Sequence, residues 1–142
     1  MQVQVGLLIF AANKHNMMNS YILLQKEQKE QKENSHLKIP SEPLPDDSDS
    51  VSLVYRILKN CSGVSGKWIE ITPRQIGVFD DVDRNPNYRE LFIAYSLYIP
   101  EPMKVYDGYK WVKIDELGDS KLYLDTEQII RYAILGGDRY VI

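Results

Sequence analysis

An α/β fold is predicted by three observations. Apolar runs of strand length recur along the chain, two segments carry helical spacing behind capping residues, and the order is strand, strand, loop, helix, strands, helix. The 142 residues, 44% hydrophobic and 26% charged, suit one globular domain that buries roughly 70% of its unfolded surface.

Val3 to Phe10 alternates and then becomes continuously apolar, as a strand buried on both faces does. Turn-forming residues from Asn13 to Asn19 separate it from a second strand, Tyr21 to Leu24. QKEQKEQKEN, from Gln25, is a polar three-residue repeat with nothing to bury, and reads as solvated helix or disorder. From Ile39 to Asp49 the chain is rich in Pro, Ser and Asp. Each proline removes a donor, so a loop is expected, and residues 25–49 together read as a surface excursion from a single domain spanning 1–142.

Asp49 or Ser50 can cap a helix whose apolar positions are Val51, Val54, Leu58 and Cys61, with Gly63 at its end. Lys67 to Ile71 and Gln75 to Phe79 read as short strands. The acidic loop DDVDRNPNYRE follows, and then LFIAYSLYIP, a buried strand. Tyr109 to Ile114 reads as another strand. Asp125, Thr126, Glu127 and Gln128 resemble a capping box opening a closing helix through Ile129, Ile130 and Ala133.

A net charge of −3 provides no global field for a polyanion, and no basic patch replaces it. The single Cys61 excludes an internal disulfide. His15 and His36 have no companions at metal-binding spacing, so no structural zinc site is expected. The opening MQVQVGLLIF is too short to span a bilayer and has neither a basic flank nor a cleavage site, so a cytoplasmic protein without membrane contact is expected.

Motifs sharpen the fold class. GVFDDVDRNPNYRELFIAYSLYIP, from Gly77, resembles the stretch after the catalytic helix in the ADP-ribose-related Nudix group and in the Nudix-related transcriptional regulators of NAD metabolism. Arg89 and Ala94-Tyr95 match that pattern, and Arg84-Asn85-Pro86 stands where the group has Arg-Asp-Pro. WVKIDEL from Trp111 and LYLDTEQIIRYA from Leu122 resemble later segments of the same group, with Thr126 at a usual histidine. The resemblance implies an α/β/α sandwich with a mixed central sheet, recognition of ADP-ribose or a related nucleotide diphosphate derivative, and a homodimer. In the regulators a winged-helix DNA-binding domain follows. Here little remains after the last helix, so DNA binding by this chain alone is not expected.

The Nudix box fits in one register that respects the helix. Arg56, Leu58, Gly63 and Val64 match, Glu42 stands at the first glycine, Ser48 at the first glutamate, and Ile57, Asn60 and Cys61 at the three helical glutamates. Glutamates at i, i+3 and i+4 would share one face and hold Mg²⁺ against a pyrophosphate. Without them no cofactor and no catalytic residue is expected. Magnesium returns only if carboxylates such as Asp46, Asp47, Asp49, Asp80, Asp81 or Asp83 stand in.

The candidate ligand-binding residues are Arg56, Phe79, Arg84 and Arg89. Arg84 and Arg89 could clamp phosphate through bidentate guanidinium groups, or pair with Asp81, Asp83 or Glu90. Arg56 fills the arginine of the box, or is a surface helix residue. Phe79 and Tyr95 could stack on adenine or ribose, or belong to the core, and Trp111 and Cys61 read as packing. Three roles follow: a sensor for a small nucleotide ligand, a hydrolase of ADP-ribose-like substrates with relocated metal ligands, and a scaffold without a ligand.

Overall fold

The computed structural model describes residues 2–11, 19–27, 36–62, 72–80, 90–122 and 125–137. Strand β1 (Gln2–Ala11) runs parallel to β6 (Glu90–Ile99) along its whole length, from Gln2 opposite Glu90 to Ala11 opposite Ile99. The other strand pairs among the described residues are antiparallel, so the seven-stranded sheet is mixed.

Alternation along β1 sorts the core into two layers. Leu8 and Phe10 face one side with Ile22, Leu24, Phe92, Ile129 and Ile130, beneath helix α2 (Thr126–Tyr132). Val5, Leu7, Ile9 and Ala11 face the other with Leu97 and Ile99, beneath helix α1 (Ser50–Ser62). Both faces of β1 are buried among apolar side chains, which accounts for the unbroken apolar run in the strand. The arrangement is the α/β/α sandwich with a mixed sheet that the resemblance implies.

The second edge of β1 is shared. Its last residues, Phe10 and Ala11, pair with β2 (Tyr21–Lys26), whereas Gln4 to Gly6 pair with β4 (Ser41–Pro43). Strand β2 continues away from β1 and pairs with β3 (Leu37–Lys38) and β7 (Tyr109–Lys113). The sheet therefore splits between β2 and β4. At Gly6, β1 passes so close to the buried Phe92 ring that a β-carbon would overlap it.

Several local expectations change. The Ile39 to Asp49 stretch is not all loop. Ile39 is buried and Ser41–Pro43 forms an edge strand, with the Leu7 amide donating to the Pro40 carbonyl and the Leu44 amide to the Val3 carbonyl. Proline is tolerated because these bonds bypass the Pro43 nitrogen. In α1 the buried stripe is Leu53, Val54, Ile57, Leu58 and Cys61, while Val51 lies in the first turn, half exposed. Asp49 is the cap, accepting from the Ser52 amide at 2.7 Å, and Ser50 is released to hydrogen-bond Tyr95 at 2.6 Å.

Helix α2 starts where expected, but its capping box does not form. Asp125 sits at φ −91°, ψ 15°, away from the extended geometry of a cap, and its carboxylate does not receive the helix amides. Glu127 pairs instead with Arg131, one turn on, at 2.9 Å. A 3₁₀ helix over Ile114–Asp119, absent from the sequence reading, follows β7 and buries Ile114 and Leu117. The expected strand over residues 67–71, most of the polar repeat from Gln25, and Gly63 lie outside the described residues. No described helix is long and apolar enough to cross a membrane.

Candidate functional site

The split in the sheet opens a cleft of ≈ 260 Å³ between β2, β4, β7 and α1. Its walls are Gln25 of β2, Pro40, Ser41 and Glu42 of the β4 segment, Ile57 and Asn60 of α1, and Tyr109 of β7. Four elements thus converge where β2 and β4 part from each other. Concave clefts with a few convergent polar groups are where ligands commonly bind.

Glu42 organises the polar side. The Asn60 side-chain amide donates to Glu42 Oε2 at 3.0 Å, and the Arg56 guanidinium lies 3.4 Å from Glu42 Oε1. The ion pair is largely solvated, with the Arg56 side chain 63% exposed, so it orients Glu42 more than it stabilises the fold. Behind it, the Tyr109 hydroxyl and the Cys61 thiol interact. Burial, with the nearby Glu42 charge adding to it, pushes the Cys61 thiol up to about 12. Burial also pushes the Tyr109 phenol up to about 12, reinforced by Cys61 and Glu42. Both groups are neutral at physiological pH.

The three helical positions of the box divide unequally. Ile57 and Cys61 turn into the core at 2% and 0% exposure, while Asn60 points to the cleft. Magnesium takes a near-octahedral shell of hard oxygens. One carboxylate already engaged by Asn60 and Arg56, one amide carbonyl, an alkyl chain and a protonated thiol do not fit it. Among the described residues no three His, Cys, Asp or Glu side chains gather into a metal-binding group. Asp46, Asp47 and Asp49 are exposed residues ahead of α1, at its opposite end from Asn60.

Of the four sequence-predicted ligand residues, the two that are described, Arg56 and Phe79, are not brought together. Arg56 lies on α1 beside the cleft. Phe79 is on β5 (Arg74–Phe79), packs on the α2 side of the sheet, and meets the Tyr132 ring edge-on at 5.4 Å. The sheet therefore lies between them. Arg84 and Arg89 are outside the described residues. Tyr95 is buried, linked to Ser50 and within 3.4 Å of Gln75, and Trp111 donates to the Met103 carbonyl, so both are packing residues. Glu42, Asn60, Gln25 and Tyr109 are the cleft residues that sequence reasoning did not name as binders. The one available signal was Glu42 itself, a carboxylate standing at the first box position while the helix lacked its own.

No protein-family model matches the sequence, and no curated protein matches it. Solved structures do. The Nudix domain of Shewanella oneidensis NrtR complexed with ADP ribose aligns with a TM-score of 0.73 at 15% identity, covering 93% of this chain and 85% of that one. A bifunctional NMN adenylyltransferase/ADP ribose pyrophosphatase from Francisella tularensis aligns with a TM-score of 0.74 at 17% identity, over 95% of this chain and 41% of that one. The C-terminal domain of mouse MUTYH, in a complex with human PCNA, aligns with a TM-score of 0.72 at 12% identity, covering 94% and 88%. Likeness at such low identity speaks to architecture. By its mixed seven-stranded sheet, the described helices on its two faces and these alignments, the chain has a Nudix-like fold.

Proposed function

We propose that this domain binds ADP-ribose or a related nucleotide diphosphate derivative without hydrolysing it, as a sensory module. The observation that carries this reading is the helix face itself: Ile57 and Cys61 are core residues, and Asn60 is tied to Glu42. Hydrolysis of a pyrophosphate by this fold's box chemistry needs carboxylates at those positions to hold a divalent ion that neutralises phosphate charge, an effect of several kcal/mol on the barrier. The S. oneidensis neighbour, complexed with ADP ribose, supports the ligand class. Arg84 and Arg89 are the proposed phosphate partners, with Arg56 holding Glu42 at the cleft.

Titration calorimetry with ADP-ribose, paired with an assay for AMP release under Mg²⁺ or Mn²⁺, tests this. Saturable heat without AMP is the expected result, and at 100 times the dissociation constant the ligand stabilises the fold by about 2.7 kcal/mol. Metal-dependent AMP release overturns the reading in favour of a hydrolase with relocated ligands. A third role, an interaction domain, draws support from the MUTYH neighbour in its complex with PCNA. It is favoured if neither heat nor AMP is observed.

A further inference from the structure

We infer that the cleft between β4 and α1 receives the vicinal hydroxyls of a sugar ring, and not the phosphates of the ligand. This deepens the proposed nucleotide-binding role and rests on it only for the sugar's being part of a nucleotide derivative. Size is the first argument. At ≈ 260 Å³ the cleft falls below the roughly 300–1,000 Å³ that buries a drug-sized ligand, so it suits one ring and its hydroxyls.

Charge is the second. Among the described residues no Lys or Arg lines the cleft, and the one formal charge there is the Glu42 carboxylate, which repels phosphate. Arg56 beside the other oxygen of Glu42 brings the pair near neutrality, so a cation gains little either. What remains is hydrogen bonding to a neutral group.

The inventory of donors and acceptors is the third argument. After its contacts with Asn60 and Arg56, Glu42 keeps lone pairs that can accept from two adjacent hydroxyls. The Asn60 carbonyl accepts, the Gln25 amide both donates and accepts, and the Ser41 hydroxyl does the same; none of these three groups has a side-chain partner among the described residues. Pro40 and Ile57 are buried behind this lining, so the surface that the cleft presents is mostly polar, as hydroxyl groups require. Because Ile57 and Cys61 fill the core beneath, the ring rests against α1 where an ion-binding face would hold phosphate.

The test is ¹⁵N chemical-shift mapping of the full chain with methyl β-D-ribofuranoside and its 2,3-dideoxy counterpart, repeated in Glu42→Gln. Saturable shifts of the Ser41, Glu42, Asn60 and Tyr109 amides are expected with the diol and not with the dideoxy sugar. Affinity should fall about tenfold in Glu42→Gln, as loss of a charge-assisted hydrogen bond implies. An absent response, an equal response to both sugars, or a Glu42→Gln affinity equal to that of the parent overturns the inference, as does inorganic pyrophosphate shifting the same amides. Heat from ADP-ribose without these sugar shifts keeps the binding role and removes the diol contact. Sugar shifts without ADP-ribose heat keep the diol contact and remove the nucleotide role.

Discussion

Cys61 and Tyr109 share one proton-rich contact behind the cleft. Unfolded, the thiol titrates near 9.0 and the phenol near 10.0; folded, both are held to about 12. The folded chain therefore keeps protons that the unfolded chain releases. Stability from this pair is fully present below the unfolded values and falls as pH climbs from about 9 toward 12. Urea midpoints from about pH 8 to about pH 11 should drop less steeply in a Cys61→Ala, Tyr109→Phe variant than in the parent. Parallel slopes would contradict the assignment. The same burial makes the thiol inert, and it argues that Cys61 belongs to the core and not to a metal shell.

Elements show which features a sequence exposes and which it conceals. Helix α1 was legible because its signals are local: a capping aspartate, apolar residues one turn apart and no internal proline. Strand β4 was concealed because its partner is β1, more than thirty residues earlier, and its prolines spoke only for local geometry. Asp49 offers a direct check on the helix start. Its hydrogen bond from the Ser52 amide holds the carboxyl below the usual carboxylate range, so its contribution is present above the unfolded value of 3.8 and is lost as pH falls through the folded one. Asp49→Ala should lower the melting temperature at neutral pH, and the gap to the parent should close in acid; a gap that persists there would contradict the cap. In β1, Gly6→Ala drives a methyl group into the Phe92 ring and should cost about 1–3 kcal/mol in urea unfolding. A neutral outcome would mean that Phe92 moves freely in the core.

At the scale of the whole molecule, the parting of β2 from β4 creates the cleft, and the two helices set what each side of the sheet can do. Apolar periodicity and the order of elements gave the α/β class, and the Nudix resemblance implied the α/β/α layering. The cleft did not, because Glu42 meets Asn60 across 18 residues, and Gln25 and Tyr109 arrive from strands paired through tertiary contacts. Arg56 was named from the box, and the fold gives it a partner in Glu42; Phe79 was named from its neighbours in sequence, and the fold turns it to the opposite layer. The central claim is that the face of α1 carrying Ile57, Asn60 and Cys61 does not grip a divalent cation. Paramagnetic broadening of backbone amides during Mn²⁺ titration measures this most directly. The amides of residues 57–61 and of Glu42 should keep their intensity at millimolar Mn²⁺, with only diffuse losses at exposed carboxylates. Selective, saturable loss of the Asn60 and Cys61 signals would contradict it and return the domain to the metal-dependent hydrolases.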